Sequence, residues 1–169
     1  MLISGHDSIL QRLLSVAGDT VYASAANILA RLAKGSANTK LFMNAGDTAP
    51  EWAAGLMTNY LTRDCHAASG DVSYTGVGFK PSAIIFISSV SANSISFGVW
   101  TPNYDGSWGM YGTTITGVTD NTVIQHVNSA GSAFNNAIVK SVDADGFTLT
   151  WTESTGFTAT GYTLYIAFR

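Results

Sequence analysis

The chain has 169 residues, of which 46% are hydrophobic and 11% charged, with a formal net charge of −3. That length suits one domain with an appendage, and so apolar a composition excludes a disordered chain. The charged share is under half of the usual figure of about 25%, and Thr, Ser, Asn and Gly take its place.

Residues 1–65 carry five basic side chains (Arg12, Arg31, Lys34, Lys40, Arg63) against five acidic ones (Asp7, Asp19, Asp47, Glu51, Asp64). Residues 66–169 carry three basic against six acidic, which places the whole net charge there. No basic patch stands ready to neutralise phosphates, so nucleic acid is not expected as a partner. Cys65 is the single cysteine, which rules out a disulfide framework and a cysteine-based metal site. The apolar runs fall short of the roughly 20 residues of a membrane span. The start, MLISGHDSIL, lacks the basic and long apolar regions of a signal peptide. Synthesis in a cytoplasm without export is the expectation.

In residues 1–65 a weak repeat stands out. Ser8-Ile9-Leu10-Gln11-Arg12-Leu13-Leu14 matches Asn27-Ile28-Leu29-Ala30-Arg31-Leu32-Ala33. Each copy continues to Asp/Asn-Thr and an apolar pair, Val21-Tyr22 and then Leu41-Phe42. The pattern predicts two short helices, each followed by a short strand. Asp7 and Ser24 would be N-caps, and Gly18 and Gly35 would be stops. Ile9, Leu10, Leu13 and Leu14 form one apolar stripe, and Ile28, Leu29 and Leu32 form another. Helices of about ten residues are unstable alone, so both stripes need a partner. A two-unit repeat favours the same stripe on neighbouring chains, as in a stalk.

The run from Ile28 to Trp52, ILARLAKGSANTKLFMNAGDTAPEW, resembles the linker that recurs in tail-fibre and other virion appendage proteins of bacteriophages. That resemblance implies a place in a virion, with the N-terminal segment contacting other virion proteins. Gly55–Cys65 is read as a transition without a clear pattern.

From residue 66 the pattern turns to strands. Asp71–Tyr74 is an edge strand. Tyr74–Ser88, YTGVGFKPSAIIFIS, holds the central one, because Ile84-Ile85-Phe86-Ile87 is short, β-branched and bounded by Gly and Pro. In Ser94–Trp100, the residues Ile95, Phe97 and Val99 share a face. Thr101–Gly112 reads as a long loop, followed by strands at Asn121–Val127 and Ala137–Val142. Asp143-Ala144-Asp145-Gly146 is a turn. In Phe147–Thr152, Phe147, Leu149 and Trp151 face in and the threonines out. In Gly161–Phe168, Tyr162, Leu164, Ile166 and Phe168 share a face. The expected fold is mainly β, an antiparallel β-sandwich of six to seven strands over 66–169, preceded by a helix/strand stalk over 1–65.

Gly78-Phe79-Lys80-Pro81 before a strand, Val142-Asp143-Ala144-Asp145-Gly146-Phe147-Thr148-Leu149, and the closing Tyr165-Ile166-Ala167-Phe168 are together similar to the H-type lectin domain, with Tyr165 at the usual Trp. The resemblance implies a six-stranded antiparallel sandwich that forms trimers and binds glycans.

Most chemical motifs fail on their own terms. Gly76-Val77-Gly78-Phe79-Lys80-Pro81 has Pro where a dinucleotide fingerprint needs its third Gly, and no helix follows. Cys65-His66 are neighbours on an extended chain and point apart. His6, His66 and His126 lack ligand spacing. Asp143-x-Asp145-Gly146 begins a calcium loop but lacks its later ligands. Asp105, Asp120 and Glu153 have no spacing that pairs them as hydrolase carboxylates. No enzyme activity, cofactor or metal is expected.

The residues that remain are Trp100, Asn103, Tyr104, Asp105, Trp108 and Tyr111. Rings among amides and carboxylates suit sugar recognition, but the plainer reading of these rings is as core or subunit-interface anchors. The expectation is a homotrimeric virion fibre or spike, assembled in a host cytoplasm, that attaches to host surface polysaccharide without entering a membrane. A capsid-decorating or head-fibre protein without a ligand stays open as the alternative, and a depolymerase fragment as a third.

Overall fold

The computed structural model describes residues 12–169 except 27, 45, 92, 93, 129 and 155, with side chains also set aside at 91 and 116–118. Ile9, Leu10, Asp7 and His6 therefore lie outside the described residues. The rest is almost wholly β, with helix only at Arg12-Leu13 among the described residues. Two compact units divide between Gly55 and Leu56.

The first unit holds two antiparallel hairpins. One joins β1 (Thr20–Ala25) to β2 (Ile28–Leu32), and the other joins β3 (Lys40–Met43) to β4 (Pro50–Ala53). The predicted strands at Thr20–Tyr22 and Leu41-Phe42 are present, but the second predicted helix is not. Ile28, Leu29 and Leu32 lie on a strand, so they form no helical stripe, and Ser24 lies inside β1 rather than capping anything.

The reason is a local network that favours pairing over a marginal helix. The Asp19 carboxylate accepts the amides of Ser15, Val16 and Lys34 and pairs with Arg31. It thereby clamps the entry of β1 to the exit of β2. Burial pushes the Asp19 carboxyl up, but these hydrogen bonds and Arg31 outweigh it and hold the group below its usual range.

No described residue of this unit is fully buried. Ile28, Leu29, Leu41 and Met43 are about half exposed, Leu14 is exposed, and Leu13 and Leu32 are half-buried. Two-stranded hairpins without a core are marginal in water.

The second unit begins ten residues before the expected boundary, because the stretch read as a transition is a strand. That strand, β5 (Leu56–Asp64), pairs along its whole length with β14 (Thr160–Phe168). Between them run β6 (Gly70–Tyr74), β7 (Ala83–Ser91), β8 (Ser94–Thr101), β9 (Tyr104–Tyr111), β10 (Thr114–Asp120), β11 (Ile124–Val127), β12 (Phe134–Asp143) and β13 (Gly146–Glu153).

One antiparallel sheet has the order β10-β9-β8-β7-β14-β5, and a second has the order β11-β12-β13-β6. The β7 strand is interior and β6 is an edge, as expected. The region expected to be a loop, 101–112, is a hairpin arm: β9 pairs with β8 from Thr101↔Tyr104 to Ser94↔Tyr111. Its Gly and Asp residues masked an alternation that cross-strand pairing settles.

The core lies between the two sheets. Phe86 of β7 and Tyr165 of β14 both meet Phe147 of β13 edge-on, at 5.8 and 5.1 Å between ring centroids. Phe147, Leu149 and Trp151 are fully buried as the alternation predicts.

On β8 and β14 the residues grouped correctly, yet the more apolar group faces out. Ser94, Ser96 and Gly98 are buried while Ile95 and Phe97 are exposed. Thr163, Tyr165 and Ala167 are buried while Tyr162 and Leu164 are exposed.

The cause on β8 is the close approach of the chain around β11. A Cβ at Gly98 would stand 1.8 Å from the Val123 carbonyl oxygen. The Ser96 hydroxyl accepts the Gln125 amide and meets Ser88, while the Gln125 side-chain amide donates to Ser107. Only small side chains fit beneath that backbone. Gly98→Ala is accordingly expected to cost about 1–3 kcal/mol, read as a lower urea midpoint. An unchanged midpoint would refute the close approach.

Candidate functional site

The hairpin between β8 and β9 turns through Pro102-Asn103, and Thr101 Oγ1 donates to the Tyr104 carbonyl at 3.1 Å. Beside it β10 ends at Asp120, paired with Gly106. Asn121 follows in the left-handed region (φ 57°), and its amide donates to the Asp105 carbonyl. These two chain reversals bring Asn103, Tyr104, Asp105, Asp120 and Asn121 around one open cleft of about 300 Å³. Its polar lining is amide, phenol and carboxylate.

Tyr104 also borders a second depression of about 290 Å³, with Phe97, Val99, Gly106, Ser107 and Trp108. Phe97 and Trp108 stack there, with centroids 6.4 Å apart and planes 28° apart. The Tyr104 hydroxyl lies over Gly106, where a Cβ would come within 2.5 Å of it. Glycine at 106 is what lets the ring lie along the strand.

The six sequence-derived site residues therefore separate. Asn103, Tyr104 and Asp105 line the cleft, and Trp108 adjoins Tyr104 on the outer face. Trp100 packs against the core, which removes it from the site. Tyr111 is at the opposite end of β9, where its ring underlies Gly131, so it too is removed. Asp120 and Asn121 were missed as partners of Asn103. Nothing in the sequence signals that β10 returns to this turn.

The other motifs are absorbed by the fold. The Asp145 carboxylate accepts the amides of Gly76 (3.1 Å) and Gly78 (2.8 Å), and its carbonyl accepts that of Val77. The would-be dinucleotide turn and the would-be calcium turn thus satisfy each other. Positive φ at Gly76 and Gly78, 85° and 81°, is what aims those amides. The Glu153 backbone amide donates to Ser69 Oγ, and its carboxylate, at the end of β13, lies 3.8 Å from His66 Nδ1.

Cys65 does meet a histidine, but it is His126. The thiol lies 3.7 Å from His126 Nδ1, and Thr163 Oγ1 lies 3.3 Å from Nε2. Both residues are fully buried. Burial pushes the Cys65 thiol up to about 11, and burial with nearby Arg63 brings His126 down to about 4. At neutral pH the pair is a thiol and a neutral imidazole sealed from solvent, with no thiolate to act as a nucleophile.

Compared with protein-family models, curated proteins and solved structures, the chain matches none.

Proposed function

We propose that the chain is a non-enzymatic virion appendage of a bacteriophage: a homotrimeric fibre or spike whose lectin-like β-sandwich attaches to host surface glycans. The observation that carries the reading is the open cleft of Asn103, Tyr104, Asp105, Asp120 and Asn121, in which Tyr104 supplies the ring. Amides and carboxylates take sugar hydroxyls, and a ring face takes the apolar side of a pyranose. The coreless first unit supports assembly, since its exposed Ile28, Leu29, Leu41 and Met43 call for neighbouring copies acting as a stalk. Three weak sites on one trimer would act together through avidity. The run Ile28–Trp52 adds its likeness to virion linkers.

The test is binding of the full-length chain to a panel of bacterial surface polysaccharides. Tyr104→Ala combined with Asn121→Ala is expected to weaken binding at least tenfold, on the order of 1.4 kcal/mol per site. No retention on any polysaccharide, or equal retention of the double variant, would sink the reading.

One observation favours the ligand-free alternative, a structural decorating protein: Phe97 and Trp108 stack in an apolar row across the outer face of the six-stranded sheet. On that reading, replacing Tyr104 and Trp108 together by Ala leaves particle adsorption unchanged.

A further inference from the structure

The middle of the six-stranded sheet's outer face is apolar, with charged residues, Asp64 and Asp120, at outward positions only on the edge strands β5 and β10. Hydrogen-bonded registers align Tyr60, Leu164, Ile87, Phe97 and Trp108 in one row across β5, β14, β7, β8 and β9. In the next row Tyr162 leads through Ser89 to Ile95, Met110 and Ile115. Among the described residues, the outward positions of β5 from Leu56 to Thr62 and those of β14, β7, β8 and β9 carry no charged side chain.

Eight large apolar side chains on this face are between 36% and 71% exposed. Applied to the four aromatic side chains alone, at about 150–250 Å² each, those fractions amount to on the order of 400 Å², to which Leu164, Ile95, Met110 and Ile115 add a further exposed share. A monomer's largest apolar patch is typically about 300–600 Å², whereas one partner's share of a standard interface is about 800 Å².

We infer that this face is covered by a second copy of the chain. Its area approaches one partner's share of a specific interface. Its charged positions, Asp64 and Asp120, lie only on the edge strands, so its middle offers nothing to orient an acidic or basic partner and matches the same surface on a neighbouring copy. The inference rests on the homo-oligomer reading for the identity of the occupant and not on glycan binding. It gives the second unit its own means of assembly, independent of the first.

The test uses the full-length chain in two measurements. Leu164→Lys places a charge at the centre of the face, on an exposed side chain that the monomer's core does not use. It is expected to raise the self-association constant, Kd, by about 100-fold or more, because an unpaired charge would be buried in the contact. Far-UV circular dichroism should stay unchanged. Oxidative footprinting of wild type should show Trp108, Met110 and Tyr162 protected at concentrations where the oligomer forms, and labelled on dilution.

A wild-type oligomer with these three side chains labelled at every concentration overturns the inference while leaving stalk assembly intact. A monomeric wild type overturns it together with the oligomer reading, as does protection that appears only on adding phosphatidylcholine vesicles. Protection with no polysaccharide binding upholds it and removes only the attachment function.

Discussion

Replacing Trp151 by Ala is expected to destabilise the Leu56–Arg169 unit by about 3–5 kcal/mol. Trp151 is fully buried on β13, in the four-stranded sheet. Its ring stacks on His126 at 5.6 Å and 27°, and the Arg63 guanidinium sits 5.1 Å from its centroid. Arg63 is itself tied to the carbonyls of Ala67 and Ala68, which limits how far it can move to fill the void. The indole therefore joins three elements: β13, the β11 histidine and the exit of β5. The loss should appear as a fall in Tm on the order of 10–20 °C by scanning calorimetry. A fall of only about 2 °C would mean that the site collapses freely and the stack contributes little.

The sequence made this part of the fold legible because its signals there agree. On β13 the alternation of Phe147, Leu149 and Trp151 with threonines is strict, and the turn before it has the Asp-Gly composition of a tight reversal. On β7 the run Ile84–Ile87 is too apolar for anything but a sheet interior. Where the signals conflicted, tertiary context decided. Ile28–Leu32 has helical spacing, yet a strand partner and the Asp19 clamp outweigh a helix of about ten residues. On β8 and β14 the alternation was correct but did not say which group faces in, because inside and outside depend on what packs above. The approach of the chain near Val123 to Gly98 could not be read from either segment alone. The same limit hid half of the cleft. Asn103–Asp105 announce themselves as a polar turn, whereas Asp120 and Asn121 join them only through the return of β10.

The buried histidine makes the second unit acid-sensitive. His126 is enclosed by Cys65, Thr163, Trp151 and Gly161, and a Cβ at Gly161 would stand 2.2 Å from its ring. Arg63 is the charged group it feels, and that charge opposes protonation. Its pKa falls from 6.5 in the open chain to about 4 in the fold. Between those values the unfolded chain binds a proton that the native chain refuses, so acid draws the equilibrium toward unfolding. The stability present above pH 6.5 should decline through this range by on the order of 3 kcal/mol. Asp71, held low by hydrogen bonds from Lys140 and Thr150, adds its own loss only below its ordinary 3.8. The two effects therefore separate along the pH axis. Urea titrations at closely spaced pH values should show the midpoint falling from pH 7 to 4.5 in wild type and staying nearly level in His126→Gln. Equal slopes in the two proteins would assign the acid sensitivity elsewhere and show that His126 takes up its proton inside the fold.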